Sequence, residues 1–188
     1  MSEPALISTT TVVSLLSTVA LLCGAWALSQ VHLARTASTK TRLIYVWHVF
    51  DGLTHVVLEG SFLWYSLTSS APAAAGAAPT PTLWGRSDTS YGTRYSSAPL
   101  AALWNEYARA DTRWAVADVG VVCIEAVTVL LGGPLALAVA AMVARADPRR
   151  WFWIAVLATA EIYGGWMTFA PEWFGGNANL VTANWMYK

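Results

Sequence analysis

Four long apolar segments alternate with polar connectors along the chain, and this pattern predicts a bundle of membrane-spanning helices. The segments cover residues 9–31, 43–67, 115–143 and 151–169. Each approaches or exceeds the roughly 20 residues that an α-helix needs to cross the hydrocarbon core. We therefore predict an all-α, polytopic membrane protein with four transmembrane helices.

The second segment, LIYVWHVFDGLTHVVLEGSFLWYSL, carries a series of ionisable residues in an otherwise apolar run: His48, Asp51, His55 and Glu59. At about 100° per residue they fall within one narrow stripe of the helix surface. A charged side chain at the bilayer centre costs about 2.5–3.5 kcal/mol, so such residues normally face a protein interior or a cavity. The stripe therefore predicts a polar cavity within the bundle.

The third and fourth segments also carry acidic side chains. Glu125 lies in the third segment with Thr128 three residues later, and Glu161 lies in the fourth. We interpret Asp118 as a helix-terminal or interfacial charge, because it comes near the start of its helix. The Gly-Gly-Pro sequence at 132–134 predicts a bend or a close approach of neighbouring backbone.

The connectors predict the orientation of the chain. Basic residues occur in the short connectors 32–42 and 145–150, which should therefore be cytosolic, with the N-terminus on the opposite side. Residues 68–99 are rich in Pro, Gly and small side chains, and we expect a mobile, non-cytosolic loop without chemistry. The segment that follows, beginning PLAALWNEY, has the spacing of an interfacial amphipathic helix.

Composition agrees with membrane insertion and excludes several classes of partner. The 188 residues are 56% hydrophobic and 12% charged, with a mean hydropathy of +0.46. Net charge is zero and no long basic run occurs, so we expect no nucleic acid partner. Cys23 and Cys123 lie within apolar segments and predict packing positions without a disulfide framework.

The intramembrane acids and histidines could serve several kinds of chemistry. His55 and Glu59 could face one metal ion, but a second histidine on that turn and cysteine ligands elsewhere are missing. Haem held by His48 and His55 is disfavoured because both lie on one helix. Four segments without an internal repeat are few for a proton-coupled transporter. We therefore expect neither a metal nor a cofactor.

Proton transfer to an apolar substrate fits these residues better. Moving a carbon–carbon double bond requires a proton to be added at one carbon and another removed nearby, with a carbocation between the two steps. Carboxylates would stabilise that cation, and each desolvated aromatic face could add about 2 kcal/mol.

Four motifs, GLTHVVLEG, LWNEYARADTRW, VCIEAVTVLLGGPLAL and EIYGGWMTF, occur in this order between about residues 43 and 172. Together they resemble the emopamil-binding protein family of the EXPERA superfamily, whose founding activity is sterol Δ8-to-Δ7 isomerisation in the endoplasmic reticulum. The resemblance implies a multi-pass endoplasmic reticulum protein that isomerises a sterol or a related polycyclic isoprenoid. A non-catalytic sterol- or amphiphile-binding protein, and an isomerase or cyclase of specialised terpenoid metabolism, remain alternatives.

The resemblance also implies the site residues. THVVLEG matches the family pattern H-x-x-x-E-G, and CIEAVT matches its third-helix motif, so the catalytic set is expected to be His55, Glu59, Glu125 and Thr128. Further substrate contacts are expected from Asp51, Glu161, Tyr163, Trp166 and Trp104. We interpret His48 and Asp51 as a supporting or entrance pair.

The chain departs from the family pattern in two respects. Glu161 stands where the sterol enzymes generally have a neutral Gln, and Gly165 stands where they have an acidic residue, which indicates a changed cavity charge. The family has a fifth helix, and we expect the chain to lack it, with a homodimer as one way to close the cavity. The predicted units are an N-terminal helix and connector (1–42), an EXPERA-like domain (43–172) with an insertion at 68–99, and a truncated C-terminal segment (173–188).

Overall fold

The computed structural model describes residues 7–73 and 83–181, and these residues fold mainly as α-helices. The helices in chain order are α1 (Thr9–His32), α2 (Thr39–Leu53), α3 (Gly60–Thr68), α4 (Pro99–Tyr107), α5 (Val119–Val127), α6 (Gly133–Ala144) and α7 (Arg150–Gly175). The predicted all-α class is confirmed.

Two helices in the described part of the chain are long and apolar enough to cross a membrane. They are Thr9–His32, and the continuous run Val119–Ala144 that contains α5 and α6. They coincide with the first and third predicted segments. The second and fourth segments also form long helices, but these carry the ionisable residues of the stripe and Glu161. The four-span bundle therefore stays a prediction.

Side chains at the helix starts explain several of these boundaries. The Ser8 hydroxyl accepts a hydrogen bond from the Thr11 backbone N–H at 3.0 Å, while the Thr11 side chain accepts one from the Ser8 N–H at 2.9 Å. The Asp118 carboxylate accepts a bond from the Val121 N–H at 3.0 Å and caps α5. The interpretation of Asp118 as a helix-terminal charge is confirmed. α7 ends where Gly176 adopts a left-handed conformation with φ of 87°.

Two π-helical turns interrupt the helical runs. Thr54–Glu59 joins α2 to α3, and Thr128–Gly132 joins α5 to α6. In each turn a glycine N–H reaches back five residues, from Gly60 to the His55 carbonyl and from Gly133 to the Thr128 carbonyl. Pro134 has no N–H to continue the ordinary α-helical ladder, which favours a break there. The predicted interruption of the third segment is confirmed, in the form of a π turn.

Glycines let α2 and α6 pack closely. A Cβ added at Gly52 would lie 2.7 Å from Leu137 Cγ and 3.0 Å from the Gly133 carbonyl oxygen. A Cβ added at Gly133 would lie 2.8 Å from Val56 Cγ2. Because no larger residue fits without movement, this crossing brings the two π turns against each other.

An aromatic cluster joins α3, α4 and the connector after α4. The rings of Trp104 and Trp114 stack with centroids 4.9 Å apart, and Phe62 lies 4.7 Å from Trp114. The buried Trp104 indole N–H donates to Ser61 Oγ at 2.9 Å. A second apolar cluster links α1, α2 and α6 through Ala25, Tyr45, Val46, Val49, Val139, Ala140 and Val143.

The described parts of the 68–99 insertion are more ordered than the expected mobile loop. Ser70–Pro72 (β1) pairs antiparallel with Thr89–Tyr91 (β2), and the buried Thr93 hydroxyl donates to the Trp114 carbonyl at 2.7 Å. A Cβ at Gly92 would lie 2.5 Å from the Ala115 carbonyl, so a glycine permits this close approach. The amino-acid composition of the insertion does not predict these long-range contacts. Residues 74–82 and the NWMYK segment lie outside the described residues.

Candidate active site

A buried histidine on the first π turn contacts three carboxylates. His55 Nδ1 lies 2.6 Å from Glu59 Oε2, while its Nε2 lies 3.4 Å from Asp51 Oδ1 and 3.2 Å from Glu161 Oε1. His55 is 5% exposed. These four residues, Asp51, His55, Glu59 and Glu161, and Glu125, whose position is given below, are called the His55 cluster.

The order of elements explains how this cluster forms. Asp51, His55 and Glu59 follow one another at four-residue intervals along α2 and the π turn, so they share one face. Glu161 reaches the same histidine from α7, on a different part of the chain. Three residues therefore come from local helix geometry and one from tertiary packing.

Glu125, at the end of α5, and Thr128, at the start of the second π turn, approach from the third segment. Glu125 is buried at the end of α5, interacts electrostatically with Glu59, His55 and Glu161, and has one carboxylate oxygen, Oε2, without a hydrogen-bond partner among the described residues. The Thr128 hydroxyl donates to the Ile124 carbonyl at 2.9 Å. The two π turns and the end of α5 thus bring His55, Glu59, Glu125 and Thr128 to one cavity wall.

These side chains open onto a large cavity between the helices. Its volume is about 1330 Å³. The polar side chains at its wall include His55, Glu59, Glu125, Thr128 and Glu161. Much of the remaining wall is apolar, with Leu58, Trp104, Trp114, Leu131 and Leu157 among its residues. A concave, mostly apolar space with a few convergent polar groups is typical of a ligand site.

The chain is similar in sequence to proteins of a known superfamily. Residues 99–188 match the sequence profile of EXPERA (EXPanded EBP superfamily). The chain is 30% identical over 167 residues to the 3-beta-hydroxysteroid-Delta(8),Delta(7)-isomerase of Cavia porcellus, an alignment that covers 88% of this chain and 62% of the relative. Residues 99–188 therefore contain an EXPERA domain.

Two further relatives align over most of the chain. Over 162 residues the chain is 26% identical to protoglabretal synthase MOI1 of Citrus sinensis, covering 86% of this chain and 64% of that protein. It is 29% identical over 147 residues to the Mus musculus 3-beta-hydroxysteroid-Delta(8),Delta(7)-isomerase, covering 78% of this chain and 54% of that protein. The chain therefore spans about six-tenths of the length of these curated relatives.

The structure separates the expected substrate contacts of this protein into two groups. Trp104, Glu161 and Tyr163 line the cavity. Asp51 is not part of the cavity wall and instead contacts His55. Trp166 is also absent from the wall, because its side chain points to the face of α7 where it packs against Trp173 and Phe174 and stays 53% exposed. The geometry does not support a substrate contact from Trp166.

The proposed pairing of His48 with Asp51 is replaced by other contacts. His48 Nδ1 donates to the Ile44 carbonyl at 2.7 Å, one turn earlier in α2. Asp51 pairs with His55 on the following turn. The stripe therefore divides, and Asp51 belongs to the His55 cluster rather than to an entrance pair.

Sequence reasoning missed a second polar group at the cavity wall. Thr11 on α1 donates a hydrogen bond to Glu106 on α4, and both residues line the cavity. Burial acts to raise the pKa of Glu106, but hydrogen bonds from Thr11 and Arg109 and the positive charge of Arg109 outweigh it and lower that pKa. Helical spacing within one segment contains no signal for this contact between distant segments.

Proposed function

We propose that this protein is a membrane-embedded isomerase that moves a carbon–carbon double bond in a sterol, from Δ8 to Δ7, or in a related polycyclic isoprenoid. The observation that carries the proposal is the convergence of His55, Glu59 and Glu125 on one large apolar cavity. The names of the relatives, which include sterol isomerases, support it.

The residues at the wall have the properties that such a reaction needs. A substrate double bond accepts a proton at one carbon, which leaves a carbocation in the ring system. Loss of a proton from a neighbouring position then forms the new double bond and returns the proton to the protein. Hydrogen-bonded groups such as the His55–Glu59 pair can hold and release a proton, and Glu125 lies beside them.

The same groups can stabilise the cation between the two proton transfers. Carboxylates placed in advance around developing positive charge lower its energy most where water is excluded. The stacked Trp104 and Trp114 also line the cavity, so aromatic faces lie near the apolar substrate. Each such face contributes up to about 2 kcal/mol to a desolvated cation.

The membrane arrangement is part of the proposal. We place the continuous helix Thr39–Thr68 and α7 in the bilayer beside the two apolar spans, which makes the protein multi-pass. An apolar substrate would then reach the cavity from the lipid phase. We also propose the endoplasmic reticulum membrane as its location, the three predicted units as its organisation, and a homodimer as its assembly.

A second candidate is an isomerase of specialised terpenoid metabolism. Glu161 adds a carboxylate to the cavity wall beside His55, which favours a substrate or cation position different from that of the sterol enzymes. Relatives named protoglabretal synthase and isomeliandiol synthase are compatible with this variant.

Purified protein in lipid vesicles, supplied with a Δ8 sterol in heavy water, provides the test. We expect the Δ7 product to carry one deuteron from solvent, detected by mass spectrometry. His55→Ala and Glu125→Gln should each reduce the rate by about 10²–10⁴-fold, the usual contribution of a general acid or base. Asp88→Asn serves as the control, because Asp88 is exposed and is not among the residues that line the cavity.

The outcomes separate the candidates. Conversion of a tetracyclic triterpene but of no Δ8 sterol would favour the specialised isomerase. The isomerase proposal is wrong if neither substrate is converted while the protein binds amphiphilic amines, a result that would indicate a non-catalytic binding protein.

A further inference from the structure

The second ring nitrogen of His55 has an unusual environment. The Glu59 carboxylate accepts a hydrogen bond from Nδ1–H at 2.6 Å, which fixes a proton on that nitrogen. Nε2 is buried and has no hydrogen-bond partner among the residues that the structure describes. It nevertheless lies 3.4 Å from Asp51 Oδ1 and 3.2 Å from Glu161 Oε1. A neutral imidazole would therefore direct its lone pair at two carboxylate oxygens, an arrangement that a shared cation would stabilise.

We propose that Asp51, His55 and Glu161 form a binding site for a zinc ion. Their three ligand atoms all lie within 4.8 Å of one another. Zinc bonds of about 2.0–2.1 Å in a tetrahedron place neighbouring ligand atoms about 3.3 Å apart. The two measured separations from Nε2, 3.2 and 3.4 Å, are close to that spacing.

The outer contacts of His55 match those of a histidine that binds zinc. Such a histidine usually donates its other ring N–H to a carboxylate, which fixes the tautomer and strengthens the metal ligand. Glu59 provides this contact to Nδ1. The imidazole ligand favours zinc over magnesium or calcium, which prefer sites made of oxygen atoms.

Three protein ligands leave the fourth position of the tetrahedron for an exogenous group. His55 and Glu161 both line the cavity, so that position is accessible to water or to an oxygen of a cavity ligand. The expectation of no metal from the sequence rested on a missing second histidine on that turn and on missing cysteine ligands elsewhere. It did not include Glu161, because α7 reaches His55 through tertiary packing.

Zinc at this site would occupy His55 Nε2 and exclude it from proton transfer. Bound zinc should therefore inhibit double-bond migration. This consequence rests on the proposed isomerase function, whereas zinc binding itself does not.

The test measures metal binding directly on tag-free, EDTA-treated protein. Both cysteines are exposed and Cys123 lines the cavity, so Cys23→Ser/Cys123→Ser serves as the background for every variant. Zinc is titrated by calorimetry, and the bound metal is counted by mass spectrometry after gel filtration. We expect one zinc ion per chain.

Variants test the assignment of the ligands. Glu59→Gln should weaken zinc binding by about 10–100-fold, as loss of an outer carboxylate does. Asp51→Asn and Glu161→Gln should each weaken it at least as much. Glu161 is partly exposed and glutamine has nearly the same shape, so this variant should fold, which circular dichroism verifies. Asp147→Asn is the control, since Asp147 is a carboxylate in the α6–α7 connector that pairs with Arg149.

The metal-site proposal is overturned if the background protein binds no stoichiometric zinc, or if Asp51→Asn and Glu161→Gln bind it as tightly as the background protein. Its failure can be told apart from failure of the isomerase proposal. Isomerase activity without zinc binding removes the metal site alone. Zinc binding by a protein that turns over no tested substrate even in its zinc-free, EDTA-treated form leaves the metal site and removes the isomerase.

Discussion

Two buried charged clusters in this protein differ in how completely their atoms are paired. In the first, the buried Arg113 forms a 2.6 Å ion pair with Asp111 and donates to the Thr168 carbonyl at 2.9 Å. Glu172 lies 3.6 Å from the same guanidinium and accepts two hydrogen bonds from Asn179. We call these residues the Arg113 cluster, and it ties the end of α7 to the connector after α4.

The His55 cluster has more negative charge and fewer complete hydrogen bonds. Asp51 Oδ2, His55 Nε2 and Glu125 Oε2 are buried without hydrogen-bond partners within the described residues. No atom of the Arg113 cluster is in that condition in the same part of the chain. Buried polar groups are normally satisfied, so exceptions require an explanation. The contrast indicates that the Arg113 cluster stabilises the fold, whereas the His55 cluster is arranged for a ligand or a proton.

Removing the arginine should produce the largest loss of stability. Arg113→Met leaves Asp111 and Glu172 buried without their cation, which costs about 3–5 kcal/mol when one partner of a buried pair is lost. The free energy of unfolding in detergent micelles measures this change. Arg86→Met is the matched control, because Arg86 pairs with Asp88 at the surface and should change stability little. Equal effects of the two substitutions would contradict the structural role of the Arg113 cluster.

A smaller loss of stability is expected from Gly133→Ala, at the close contact between α2 and α6 that supports the His55 cluster. The added methyl of Gly133→Ala would lie 2.8 Å from Val56 Cγ2 and 3.1 Å from His55 Cβ. Overpacking of this kind costs about 1–3 kcal/mol. Because the strain falls on the π turn that holds His55, we expect isomerisation to slow by about 10²-fold, as a displacement of about 1 Å can cause.

Gly24→Ala on α1 is the control for that substitution. A Cβ there would meet no atom within 4 Å, so stability should be unchanged or slightly raised. Combined measurement of turnover and unfolding for both variants would show whether the glycine at the π turn is required for site geometry. Normal turnover in Gly133→Ala would contradict this requirement.

The smallest effect on stability is expected within the His55 cluster itself. Glu125→Gln replaces a buried carboxylate that lacks a partner on Oε2 with a neutral group of similar shape. We expect the free energy of unfolding to change by less than about 1 kcal/mol or to rise, since functional sites commonly sacrifice stability. Chemical denaturation of the variant used in the activity test measures this. A loss as large as that of Arg113→Met would mean that Glu125 is a structural residue.

The sequence predicted those features that depend on local periodicity. The first segment has no charged residue, and its predicted range, 9–31, nearly equals the observed Thr9–His32. The four-residue spacing of Asp51, His55 and Glu59 placed them correctly on one face. The second helix begins earlier than predicted, at Thr39, because the Ser38 hydroxyl caps a polar first turn that hydropathy alone does not reveal.

Other features depend on contacts between distant segments and could not be read from periodicity. The approach of Glu161 to His55 requires the position of α7 relative to α2. The Arg113–Glu172 contact likewise joins residues far apart in sequence. Trp166 was expected to contact the substrate, but its ring packs against Trp173 and Phe174 on another face of α7.

The π turn at Thr54–Glu59 has a consequence for how this helix tolerates insertions and deletions. A π turn holds about one residue more than an α turn, so every side chain beyond it is rotated by about 100° relative to an uninterrupted α-helix. His55 and Phe62, seven residues apart, would share one face of an uninterrupted α-helix. With the shift, His55 contacts the carboxylates of its cluster while Phe62 packs against Trp104 and Trp114. Deletion of a single residue here would keep a continuous helix but turn Phe62 away from Trp104 on α4. The two halves of this helix therefore pack correctly only with the one-residue offset between them. The number of residues in the π turn is thus as constrained as their identity.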